Sequence, residues 1–233
     1  MGENALQNPS FDLKRNAESA RYALLRRLAV GIRHDMAGGF QPVNMMAAIL
    51  EKRLLMANPD FSTLVKNSNE LRSLVIAATH TSLDLISWLT IDPKARVALG
   101  KGIADVLHLV STELSFRGFK LVNQSLGEAT EVRLDSLRGV FVATLLAITD
   151  SAPLPANVLI STAREGEDFL LTISLSDVDA STAATEPRDE FQIGLAAYRK
   201  INWDDVQAIA DADGLSVKRE ANSATLRLAA STA

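Results

Sequence analysis

The chain has 233 residues, 47% of them hydrophobic and 22% charged, with a formal net charge of −4 and no cysteine. The missing cysteines exclude disulfides, thiolate nucleophiles and cysteine-ligated metals, and the acidic balance argues against nucleic acid, which usually demands a basic face. No apolar run approaches the roughly 20 residues that span a bilayer, and the polar opening "MGENALQNPSFDLKRNAESA" has no signal-peptide core, so the expectation is a soluble, cytoplasmic chain with no membrane partner.

The first 92 residues read as two long helices. Leu25, Leu28, Ile32, Met36, Val43, Ala47, Leu50 and Leu54 step by three, four or seven, which is one helical stripe. This helix is expected to begin upstream, near Leu13 to Glu18. "ANPD", Ala57 to Asp60, breaks it, because Asn-Pro signals a turn. Leu64, Leu71, Leu74, Val75, Ala78, Leu85, Ile86 and Leu89 mark a second helix. It should stop near Thr90, since Pro93 disfavours helical geometry at Asp92. Two such helices joined by a short turn make an antiparallel hairpin. One hairpin buries its stripes poorly, and a second copy across a two-fold axis completes a four-helix bundle. A homodimer is therefore expected; the alternative is that the hairpin packs on the rest of its own chain.

From residue 93 to 233 the pattern is mixed. "KGIADVLHLVSTELSFRG" has helical spacing and ends at Gly118 as a C-cap. "FKLVN" is a short strand, and "LDSLRGVFVATLLAITDSA" a strongly apolar helix. "NVLISTAR", "EGED" and "FLLTISLS" form a hairpin from Asn157 to Ser176. The polar stretch Asp177 to Glu190 is expected to be a mobile loop. Asn202 opens a third helix as N-cap, and Gly214 closes it. "LSVKRE", "ANSA" and "TLRLA" make the last hairpin. The fold class is thus α+β: a helical hairpin followed by a sheet with helices on one face.

The segment "LLRRLAVGIRHDMAGGFQPVNMMAAILEKRL" carries the chemistry. At 100° per residue, His34 lies nearly opposite the stripe of Ile32 and Met36, so it faces solvent. Gln41 and Arg27, seven residues on either side, share its face. Gly38 lies between, flanked by Ala37 and Gly39, so another protein's backbone could come close to the imidazole. Glycines inside a helix cost about 1 kcal/mol each relative to alanine, and Pro42 removes a helical hydrogen bond. Such costs beside one exposed histidine point to function. The competing reading is a kink that serves packing.

"RHDM" on the first helix of a hairpin, with a downstream proline, resembles the phosphoacceptor segment of bacterial sensor histidine kinases. The resemblance implies that His34 is the phosphoacceptor and that Asp35 orients its ring or takes its proton. A neutral imidazole nitrogen is a competent nucleophile near neutral pH, and a carboxylate on the other nitrogen fixes the tautomer. Where that family often has Thr or Asn four residues on, this chain has Gly38, so phosphatase activity is not implied.

The second half resembles those kinases' ATP-binding domain in its order of elements, and the likeness runs from about Leu24 to Ala230. Its ATP motifs are degraded. Ile148 stands in "TLLAIT" where the magnesium-holding Asn would fall, with Asp150 half a turn away. "SDVDAST" keeps Asp177 and loses both glycines of the adenine motif. "FQIGLAAY" keeps Gly194 alone. Backbone amides cradle phosphate only where the chain turns tightly, which needs glycine. ATP is therefore not expected as a cofactor.

A histidine kept and a nucleotide site lost together resemble the dimeric histidine phosphotransferases of bacterial phosphorelays. That resemblance implies transfer of phosphoryl groups between response-regulator receiver domains, with Mg²⁺ and the phospho-aspartate supplied by the receiver. Arg27, Arg33, Gly38 and Gln41 would form the docking surface. Two other readings stand: an unorthodox kinase that still binds nucleotide, and a non-catalytic dimeric adaptor for receivers. His80, His108 and the Met45-Met46 pair read as packing or surface residues. Trp88 and Trp203 read as caps of domain interfaces, and Asp204-Asp205 as helix N-terminal charge.

Overall fold

The computed structural model describes residues 9–90, 92–125, 129–152, 156–177 and 200–230. The described elements have the α+β order read from the sequence: long helices first, then a five-stranded sheet with helices. The first helix, α1, spans Pro9–Leu54 and is 46 residues long. It starts earlier than the stripe suggests and continues through Gly38, Gly39 and Pro42. The second, α2, spans Phe61–Ile86. Asp60 caps it: its carboxylate accepts from the Ser62 N–H at 3.0 Å and from the hydroxyls of Ser62 and Thr63. Those bonds satisfy donors that a helix start leaves open. One 3-10 turn, Ser87–Leu89, ends the segment.

Two compact units result: Ala29–Ile91, and Asp92–Ala233 together with Met1–Leu28. The sequence reading placed residues 1–92 in one domain. In the structure the part of α1 up to Leu28 groups with the C-terminal elements instead. The reason is local. Ala17, Ala20, Leu24 and Leu28 form a buried stripe spaced by three and four. Arg21 and Arg27, beside that stripe, pair with carboxylates of the same unit. Periodicity reveals that a helix face is apolar, not which partner covers it.

Within the C-terminal unit, strand β1 (Arg96–Ala98) pairs antiparallel with β3 (Glu131–Arg133). At three residues each, these are too short to announce themselves in sequence. Helix α3 spans Leu99–Phe116, and strand β2 spans Phe119–Gln124. Helix α4 (Val142–Ser151) is preceded by a π-helical turn, Ser136–Phe141, where the sequence suggested one regular helix. Strands β4 (Ala156–Glu165) and β5 (Asp168–Asp177) form the expected hairpin, with Gly166 at φ +64° in its turn. Helix α5 (Trp203–Asp213) has a capping box between Asn202 and Asp205, and Gly214 in the left-handed region ends it. Strands β6 (Ser216–Arg219) and β7 (Ser223–Ala229) complete the sheet.

The sheet order is β2-β4-β5-β7-β6. Only β2 and β4 run parallel; the other neighbours are antiparallel. Alternation buries one face through Val158, Ile160, Leu171, Ile173, Leu226 and Leu228, as period-two strands require. Helix α4 is buried all round from Val142 to Asp150, which matches its largely apolar sequence; its buried Thr144 and Thr149 hydroxyls donate to the Val140 and Leu145 carbonyls, four residues back. Gly102 lets α3 come close to the π-helical turn, because a Cβ there would overlap Leu137.

Candidate functional site

The His34 side chain, on α1 in the hairpin unit, is 67% exposed, and that of Asp35 is 22% exposed. Nδ1 of His34 lies 3.1 Å from Oδ1 of Asp35. With its proton on Nδ1, a neutral imidazole donates to that carboxylate, and Nε2 keeps its lone pair. No hydrogen bond engages Nε2 among the described residues. The arrangement offers an accessible nitrogen nucleophile with its tautomer fixed from behind.

Arg33, Gly38 and Gln41 are exposed on the same helix. The two glycines do different work. A Cβ on Gly39 would lie 4.0 Å from the Cα of Ala78, so Gly39 sits where α1 and α2 approach closely. A Cβ on Gly38 would meet nothing within 4 Å. Pro42, four residues on, has no N–H to give to the Gly38 carbonyl. Gly38 is thus unexplained by its own fold and lies one helical turn from His34.

Arg27 does not join this surface. Its side chain is only 8% exposed, and Nη2 donates to Oε1 of Glu113 and, at 3.4 Å, to Oδ1 of Asp150. The sequence reading placed it beside His34 because seven residues are nearly two turns. That spacing is right, but the helix has by then entered the C-terminal unit, where the guanidinium is consumed.

Asp150 is the centre of that cluster. Its side chain is 1% exposed, and Arg117 Nη1 lies 2.7 Å from Oδ1. Oδ2 accepts from the Ile201 N–H at 2.9 Å, and Arg117 Nη2 donates to the Thr149 carbonyl. Burial raises the Glu113 carboxyl above its ordinary range, against the pull of Arg27 and Arg117. Ile148 is buried with the rest of α4. Both oxygens of the Asp150 carboxylate are therefore engaged by groups of the fold, while Arg27 Nε is buried without a partner among the described residues. Glu113 and Arg117 escaped the sequence reading, and Asp150 entered it only as a neighbour of the lost Asn, since the three lie far apart in the chain and only the structure brings them together. Asp177 ends β5, while the stretch after it, including the lost glycines and Gly194, lies outside the described residues.

No family model and no curated protein matches the chain. Solved structures do. The histidine kinase AdeS of Acinetobacter baumannii is 14% identical with a TM-score of 0.44, over 82% of this chain and 98% of that one. A catalytic domain of the histidine kinase ThkA is 9% identical with a TM-score of 0.40, over 58% of this chain and 94% of that one. A bacterial phosphotransferase is 13% identical with a TM-score of 0.36, over 88% of this chain and 95% of that one. Identities and TM-scores are low, so function has to be read from the side chains themselves.

Those side chains sort the remaining sequence candidates. His80 and His108 are exposed, and no group of three or more His, Asp or Glu could hold a metal among the described residues. Met46 is buried, but Met45 is 60% exposed, so only one of the pair is core. Trp203 packs under Arg219, whose guanidinium carbon is 4.7 Å from the ring centroid, within the C-terminal unit. Asp205 serves the capping box of α5. No helix among the described residues is long and apolar enough to cross a membrane.

The hairpin also keeps an apolar face open. Phe61, Val65, Val75, Ile76, Leu83 and Ile86 are all exposed on α2. At 100° per residue they fall within an arc of about 100°, separate from the stripe that faces α1. Ser68, Arg72 and Thr79 are exposed within the same arc, so polar residues interrupt the apolar side chains along it.

Proposed function

We propose that this chain is a histidine phosphotransferase that relays phosphoryl groups between receiver-domain aspartates through phospho-His34, without ATP. One observation carries the reading: a solvent-facing imidazole whose Nδ1 is held by Asp35 and whose Nε2 is open. In the first half-reaction, the Nε2 lone pair attacks the phosphorus of a receiver's aspartyl phosphate. The N–P bond forms, the P–O bond to the aspartate breaks, and the carboxylate leaves with the electron pair. Asp35 stabilises the positive charge that develops on the ring and holds the Nδ1 proton. In the second half-reaction, the carboxylate of another receiver attacks the phosphorus and the N–P bond breaks. The receiver supplies Mg²⁺; Arg33, Gly38 and Gln41 supply the docking surface.

Two features support the rest. The Asp150 carboxylate is tied up by Arg27 and Arg117, so it is unsuited to hold a nucleotide's magnesium. The exposed apolar side chains of α2 are ones a second hairpin would cover in completing a homodimeric four-helix bundle. Mixing the protein with phosphorylated receivers tests the reading: label is expected on His34 and absent in His34→Ala. Label from ATP·Mg²⁺ alone would favour a kinase, and no label from any receiver would favour an adaptor.

A further inference from the structure

Helix α1 runs unbroken through Pro42, and that leaves one of its carbonyls without a helical donor. In an α-helix each carbonyl accepts from the N–H four residues on. For Gly38 that donor would be the nitrogen of Pro42, which carries no hydrogen, and the proline ring crowds the carbonyl it cannot bond. Gly38 is exposed, and a Cβ built on it would meet nothing within 4 Å. In the free protein the carbonyl is therefore left to water. His34 lies one turn back on the same face, about 6 Å along the helix axis, and its ring is exposed too.

We propose that the Gly38 carbonyl selects the receiver: a partner must present an N–H donor to it in order to seat its aspartate at His34. The inference rests on the relay reading above and names what that docking surface asks of a partner. Even a weak, transient interface buries about 500 Å² on each side. A patch of that size centred on Nε2 of His34 covers a carbonyl one turn away and strips its water. A buried acceptor left without a donor is costly. A receiver with an amide or ammonium N–H at that level removes the cost. One with a carboxylate or an apolar side chain there carries it as a penalty, and unpaired polar groups of this kind reject wrong partners. The two residues that weaken the helix then share one purpose. Pro42 withholds the internal donor, and Gly38 keeps the approach to the carbonyl clear. Pro42 is thus a positioning residue, acting through the backbone of Gly38.

Two measurements on the full chain test this, with a receiver that exchanges label with His34 as the probe. Pro42→Ala restores the N–H that the carbonyl lacks. It is expected to melt several degrees higher. It is also expected to raise the KM for the phosphorylated receiver about tenfold, with the loss in KM and not in kcat. The second measurement is spectroscopic. Gly38-Gly39 is the one pair of adjacent glycines in the sequence. Glycine labelled with ¹³C at its carbonyl and ¹⁵N at its nitrogen therefore gives a single carbonyl-to-amide correlation, that of Gly38. Its carbonyl resonance is expected to shift on saturation with the receiver, whose aspartate is held by beryllium fluoride, and to shift less in Pro42→Ala. A Pro42→Ala protein that melts higher and keeps the wild-type KM would make Pro42 a packing kink and overturn the inference, with the relay reading intact. So would a Gly38 carbonyl that does not move in the complex. If no receiver exchanges label with His34, the relay reading falls and the inference falls with it.

Discussion

Arg117 Nη1 lies 2.7 Å from Oδ1 of Asp150, a carboxylate whose side chain is 1% exposed. Arg27 reaches the same oxygen from α1, and the Ile201 N–H holds the other. Removing one member of a buried pair leaves the rest uncompensated, at about 3–5 kcal/mol. Asp150→Ala is expected to cost that much in chemical denaturation of the C-terminal unit. A loss below about 1 kcal/mol, the range of surface pairs, would mean the cluster is solvated.

Gly38 separates stability from function. Nothing stands within 4 Å of a Cβ built on it, so Gly38→Ala is expected to stabilise the hairpin by up to about 1 kcal/mol. If the gap lets a receiver approach His34, the same change raises the KM for the phosphorylated receiver, and Gly38→Leu raises it further. Melts and steady-state transfer on the same samples check both halves. Stabilisation with unchanged KM in both variants would return Gly38 to an incidental role.

Asp35 should govern rate and leave docking alone. Asp35→Asn keeps the shape but loses the charge that supports the ring, and a positioned acid–base partner is typically worth at least about 100-fold. The expected result is a fall of that order in the single-turnover rate of His34 phosphorylation, with receiver affinity unchanged. Equal loss of affinity would make Asp35 a docking residue.

The raised Glu113 carboxyl has a sign that can be measured. Burial lifts it above its ordinary value of 4.5. A group raised in the folded state contributes stability that is present below the unfolded value and lost as pH rises through the folded one. The melting temperature of wild type minus that of Glu113→Gln is therefore expected to fall between pH 4.5 and neutrality. A difference that grows with pH would show that Arg27 and Arg117 outweigh burial.

How much of this the sequence announced depended on distance along the chain. The two long helices, the Asn202 cap and the Gly214 stop are local signals, and the structure has them. His34 faces solvent by helical arithmetic alone. The parallel pairing of β2 with β4 and the short β1–β3 ladder are non-local, and nothing in their residues reports them. Arg27 shows the limit most clearly. Its angle on α1 was legible, but the change of neighbours after Leu28 was not, because that depends on Glu113 and Asp150, which lie 86 and 123 residues away.

The most direct measurement is transfer onto His34 itself. A receiver labelled at its aspartate, freed of its kinase and of ATP, is mixed with the wild-type chain and with His34→Gln. The account predicts acid-labile, base-stable label on the wild-type chain at His34, and none on the variant. Label of equal strength on the variant, or label that requires ATP on this chain, would contradict it.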